Sequence, residues 1–87
     1  MKTQVGIKFR KFTVTMRCAA FVRGFREANQ GKPLDYTAYE NRPNDQWNFE
    51  RGRQFAFIYQ GKLKNGNRLA WQAVEAMNHA ILSNAIR

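Results

Sequence analysis

The chain has 87 residues, 44% of them apolar and 14% aromatic, and its 15 Lys and Arg against 6 Asp and Glu give a net charge of +9. That length holds one domain with a small core, and that apolar content is enough to fold rather than stay disordered. A lone cysteine, Cys18, excludes an internal disulfide and with it a secreted disulfide scaffold.

The first segment, 4–15, reads as extended chain. Val5, Ile7 and Phe9 alternate with Gly6, Lys8 and Arg10, and β-branched residues return at Thr13, Val14 and Thr15. Lys11 and Phe12 break the alternation, which predicts a bulge or bend. One strand is not a sheet, so this arm is expected to dock on the helices, on a partner, or on a second copy in a homodimer. Lys and Arg are scattered through residues 1–16 with no continuous apolar core, so no signal peptide is expected there. No apolar run is long enough to span a membrane, and the expected location is the cytoplasm.

A first helix is predicted from about Thr15, a suitable N-cap, to Gln30. Cys18, Phe21, Val22, Phe25 and Ala28 form its apolar stripe, and Gly31 followed by Pro33 marks its end. Residues 32–45 are a connector holding both prolines. Its Leu34, Tyr36 and Tyr39 predict packing back on the helices, and Thr37 to Glu40 spells a one-turn capping box. A second helix is predicted after Asn44 or Asp45, running through Trp47 and Phe49 to about Tyr59. Residues 61–67 read as a loop around Asn65-Gly66, with Asn67 capping a third helix from about Arg68 to Ala85. Ala70, Val74, Met77 and Ile81 make its stripe, widened by Trp71 and Ala85.

The first two helices share a repeat. Phe21-Val22-Arg23-Gly24-Phe25-Arg26-Glu27-Ala28 and Phe49-Glu50-Arg51-Gly52-Arg53-Gln54-Phe55-Ala56 both read F-x-R-G-x-x-x-A, 28 positions apart. Internal repetition points to one structural unit used twice. At helical spacing Phe21, Gly24 and Ala28 share a face, as do Phe49, Gly52 and Ala56. A mid-helix Gly costs about 1 kcal/mol against Ala, so a Gly in both copies predicts two helices that cross there. The expected fold is mainly α: one small three-helix domain over 1–87, with an extended segment at 1–15, a two-helix repeat unit at 16–61, and a loop and C-terminal helix at 62–87.

No catalytic constellation is present in the sequence. His79 lies four residues after Glu75, off the apolar stripe, and reads as a solvent-side residue. Cys18 reads as a small buried hydrophobe. The carboxylates show no metal-ligand spacing, and no phosphate-binding glycine loop occurs. The expectation is a noncatalytic protein without cofactor or metal.

The basic residues carry the functional signal. Nine Arg and six Lys make up the cations, and Glu27 is the single acid in the first third of the chain. Such a charge predicts a polyanionic partner, nucleic acid first and an acidic protein surface second. Arg suits this because its planar fork binds two phosphate oxygens and stacks on bases. The candidate contacts are Arg10, Lys11, Arg17, Arg23, Arg26, Arg42, Arg51, Arg53, Lys62 and Lys64, with Tyr36 and Tyr39 as stacking faces for unpaired bases. Trp47, at a helix start beside Phe49, reads as a core or loop anchor.

Residues 19–57 resemble the ribosome modulation factor family. Arg23-Gly24-Phe25-x-x-Ala28-x-x-Gly31, a loop with Pro and Tyr, and Gln46-Trp47 leading into a helix with Gly52 and Ala56 are similar to that family's two short helices joined by a tyrosine-bearing loop. Tyr36 corresponds to the family's loop tyrosine. The family's Cys-Pro-Tyr loop is absent, the interval from Trp to Ala in the second helix is longer, and residues 1–15 and the third helix have no counterpart. The resemblance implies binding to ribosomal RNA or the ribosome and modulation of translation, with Arg23, Arg26, Arg51 and Tyr36 as contacts. Small basic single domains of this kind also occur among bacteriophage proteins that act on host machinery. Two other functions stay open on the residues alone: a small inhibitor docking on an acidic host enzyme, and nonspecific DNA binding. The 14 residues between the first two helices are too many for a helix-turn-helix.

Overall fold

The two copies of the repeat form a crossed helix pair, and the core joins it to Phe12 and Met16 before it and to Leu63, Ala70, Ala73 and Met77 after it. The computed structural model describes residues 12–35 and 37–86. Its elements in chain order are α1 (residues 12–17), α2 (Ala19–Asn29), a 3-10 turn (Thr37–Tyr39), α3 (Pro43–Ile58), β1 (Lys64–Asn65), β2 (Arg68–Leu69) and α4 (Trp71–Leu82). The fold is mainly helical, as the sequence predicts.

The crossing is reciprocal. A methyl group placed on Gly24 would run into the Phe49 carbonyl oxygen and lie 3.2 Å from the Arg53 nitrogen. One placed on Gly52 would run into the Phe21 carbonyl oxygen and lie 3.0 Å from the Phe25 nitrogen. Phe49 and Arg53 are the repeat partners of Phe21 and Phe25, so the two copies meet about a local twofold axis. Phe21, Phe49 and Phe55 are fully buried around this point. The Phe25 and Phe55 rings lie 5.7 Å apart, and Tyr59 stacks on Phe55 at 5.2 Å. Each such ring contributes about 1.5–3 kcal/mol through the apolar area it removes from water.

The predicted strand at 4–15 falls mostly on residues outside those described, but residues 12–15 are helical. The reason is visible in burial. A strand would place Phe12, Val14 and Met16 on one face; instead Phe12 and Met16 are buried while Val14 is 62% exposed. That is i, i+4 spacing, and contact with the core outweighs the β-propensity of Thr13, Val14 and Thr15. Thr15 therefore does not cap the following helix. The chain breaks at Cys18, whose extended backbone precedes α2, and its thiol donates to the Val14 carbonyl at 3.4 Å. Cys18 is half-buried at this bend and packs against the core from there.

Gly31 ends α2 as expected. It takes a φ of 73°, and the paired bonds from Gly31 N to Ala28 O and from Lys32 N to Glu27 O close the last turn. α3 begins earlier than the Asn44 or Asp45 caps predict, because Pro43 occupies its first position, where a missing N–H costs nothing. Asp45 then lies inside the first turn, 2.8 Å from Arg42, where its charge also suits the helix dipole.

The segment 61–70 departs most from expectation. Lys64 pairs with Leu69 and Asn65 with Arg68 in an antiparallel hairpin, so Arg68 to Ala70 are not helical. Gly66, at φ 64°, takes the first turn position, and Asn67 completes the turn instead of capping a helix. Ala70 N then bonds to Leu63 O at 2.9 Å, carrying the pairing up to the start of α4. The buried face of α4 is Ala73, Met77 and Ala80, with Ala70 before it. Val74 and Ile81 are half-buried at its margins, and Trp71, predicted to widen the stripe, points outward with 66% of its surface exposed. The helix stops at Leu82 rather than Ala85 because Asn84 turns left-handed at φ 60° and Ala85 N bonds back to Ala80 O.

Candidate nucleic-acid interface

The outer face of α2 carries Ala19, Arg23, Arg26 and Gln30 at helical spacing, away from the Gly24 crossing. Arg17 at the end of α1, Lys32 beyond α2 and Lys64 on β1 border the same face. Together with Val22 and Glu27 these residues line a groove of about 510 Å³. A second groove of about 450 Å³ adjoins it, lined by Val22, Phe25 and Arg26 and by 61–66 of the hairpin, including Lys62 and Lys64. Val22, Arg26 and Lys64 belong to both, so the two form one track from Arg17 to the hairpin turn. Among the described residues six cations line it (Arg17, Arg23, Arg26, Lys32, Lys62 and Lys64) against one carboxylate, Glu27.

That carboxylate is already engaged. Arg23 Nε donates to Glu27 Oε2 at 2.7 Å, an i, i+4 pair. The Arg23 guanidinium also lies over the Tyr39 ring, 5.6 Å from its centre, and Tyr39 in turn packs on Phe49 at 5.4 Å. Glu27 first and Tyr39 second raise the Arg23 pKa, so the group stays charged at any physiological pH. Half of the Arg23 side chain remains exposed, at 50%. Its position is therefore fixed from below while its outer edge faces solvent.

The connector is held by a few contacts. Asp35 accepts from the Thr37 hydroxyl and from the Thr37 N–H, and these two bonds, in that order, lower its pKa. Asp35, rather than a Thr37–Glu40 capping box, thus starts the 3-10 turn. Arg53 Nη2 donates to the Lys32 carbonyl at 3.0 Å, tying the far end of α2 to α3. Leu34, expected to pack back, is 50% exposed.

The predicted contacts therefore divide. Arg17, Arg23, Arg26, Lys62 and Lys64 come together along the track, and Tyr39 supports Arg23 from beneath. Arg42 is exposed and paired with Asp45, away from both grooves. Arg51, the repeat partner of Arg23, stacks on Trp47 at 4.5 Å and keeps only 13% of its side chain exposed. Its Nε and the Arg53 Nη1 are buried with no hydrogen-bond partner among the described atoms. Arg53 serves the connector. Trp47 is 49% exposed and carries Arg51; it is not a core residue. Arg10, Lys11 and Tyr36 lie outside the described residues.

Lys32 joins the track although nothing in the sequence singles it out, since its place depends on how α2 ends. Lys64 owes its position to the hairpin, whose turn pair Gly66-Asn67 is a favoured one. Among the described residues no His, Cys, Asp or Glu cluster is placed to hold a metal ion, and no helix is long and apolar enough to cross a membrane. Compared with protein-family models, curated proteins and solved structures, the chain matches none.

Proposed function

We propose that this protein is a noncatalytic RNA-binding module that acts on the ribosome or its RNA and modulates translation. The observation that carries this reading is the continuous track along α2 and the hairpin, with its six cations and one internally paired carboxylate. Phosphates entering the track would displace their condensed counterions, and this release supplies most of the affinity. The preference for RNA over duplex DNA rests on the motif resemblance of 19–57 to the ribosome modulation factor family, read from the residues alone, and those motifs lie on α2, the connector and α3. Arg17, Arg23, Arg26, Lys32, Lys62 and Lys64 are the phosphate contacts. Arg23 is the best prepared of them, because Glu27 and Tyr39 already restrain it and little side-chain entropy remains to be lost on binding.

Cosedimentation with purified ribosomes, together with fluorescence anisotropy on ribosomal RNA and random duplex DNA at two salt concentrations, tests the reading. Binding to ribosomes or structured RNA should exceed binding to duplex. Equal, salt-sensitive binding to every nucleic acid would reduce the protein to a nonspecific polycation. No binding near physiological salt would turn attention to an acidic protein partner.

A further inference from the structure

Trp71 opens a second site at one end of the track. It is the first residue of α4 and is 66% exposed, although an indole is among the most favourable side chains to bury. It lines an open groove of about 790 Å³. On α4, Trp71, Glu75 and Asn78 follow one another at i, i+4 and i+7, and so line one side of that groove. Arg17 and Arg68 border it from α1 and β2, and neither forms an ion pair among the described residues. Half-buried Leu69 and Val74 supply apolar surface within it. Arg17 also lines the basic track, so the groove and the track share it as a common wall.

The geometry points to a pocket for one unpaired guanine of a single RNA strand whose phosphates follow the track. This rests on the RNA-binding reading above and adds to it a strand state and a base. An exposed indole beside two guanidiniums suits a stacked base with flanking phosphates. Glu75, exposed on the wall of the groove one helical turn from Trp71, would repel phosphate, but its carboxylate accepts hydrogen bonds. Guanine alone presents two adjacent donors, N1–H and N2–H, on its Watson–Crick edge, and Glu75 can receive both. Duplex RNA cannot use the pocket, because its bases are already stacked and paired.

The test uses the full chain with Trp47→Phe, which leaves Trp71 as the only indole. The probes are a short oligouridylate, the same oligomer with one central guanosine, and a duplex RNA. Addition of the guanosine oligomer should quench Trp71 emission, and the all-uridine strand should quench it less. Trp71→Ala should weaken binding to the guanosine oligomer between about 5-fold and 150-fold, the range for loss of one stacked base, and leave duplex binding unchanged. Trp71→Phe should restore most of the loss, and Glu75→Gln should remove the preference for guanosine. Circular dichroism of each variant reports folding. If the oligomers bind but Trp71 emission and the Trp71→Ala affinity do not change, the pocket is overturned and the basic track stands. Equal quenching by both oligomers overturns the guanine assignment. If no RNA binds the unsubstituted chain, the RNA-binding reading falls and this inference falls with it.

Discussion

Gly24 and Gly52 hold the fold at the scale of single residues. In an exposed helix, Gly→Ala would add about 1 kcal/mol of stability through propensity. Here the added methyl meets a backbone carbonyl that cannot swing aside as a side chain could. Overpacking of that kind costs about 1–3 kcal/mol or more, so the steric term sets the sign. Gly24→Ala and Gly52→Ala should each lower unfolding free energy by about 2 kcal/mol or more in urea melts, and by similar amounts because the two close approaches are reciprocal. A stabilised variant would contradict the crossing. Asp35 offers a second check. Its pKa is lowered in the fold by the Thr37 hydroxyl and N–H, so the stabilisation is fully present above the ordinary carboxylate range and is lost as pH falls through the lowered value. In Thr37→Val the Asp35 titration followed by NMR should move up toward its ordinary value; an unmoved midpoint would show that the hydroxyl does nothing.

At the scale of elements, the repeat is legible in the sequence and the segments flanking it are less so. Phe21, Gly24 and Ala28, and their partners 28 positions on, state both the helices and their crossing, because a costly Gly kept twice needs a packing reason. α1 reads as strand because Thr13, Val14 and Thr15 favour strand locally, while the two residues that decide, Phe12 and Met16, act only through a core assembled from distant segments. The hairpin is hidden because its strands are two residues each, too short for any alternation to show. Leu63, buried just before β1, joins hairpin and core, and Met16 does the same for α1. Leu63→Ala and Met16→Ala should each cost about 2–5 kcal/mol by denaturant unfolding. Against a total of about 5–15 kcal/mol for a domain, either loss is severe. A cost at Met16 no larger than for an exposed residue such as Val14 would argue against the docking of α1.

Taken whole, the molecule separates its cations by environment rather than by sequence. Charge alone predicts a basic face, and much of the α2 cluster is readable from Arg23 and Arg26. The equivalence of Arg23 and Arg51 does not carry to the surface. The local twofold that relates their backbones ends there, since α2 faces the hairpin and Lys64 while α3 carries Trp47, which covers Arg51. Arg51 and Arg42 should therefore matter less for a polyanion than the track residues, although all carry the same charge.

The salt dependence of RNA binding measures that distinction most directly. Anisotropy of a labelled ribosomal RNA fragment, read over a range of salt, gives a slope proportional to the number of phosphates neutralised. Arg23→Ala with Arg26→Ala should weaken binding and reduce the slope by about 2, near one for each phosphate left without its arginine. Arg42→Ala with Arg51→Ala should leave the slope close to that of the unsubstituted protein. An equal reduction in both double variants, or none in the first, would contradict a binding track along α2.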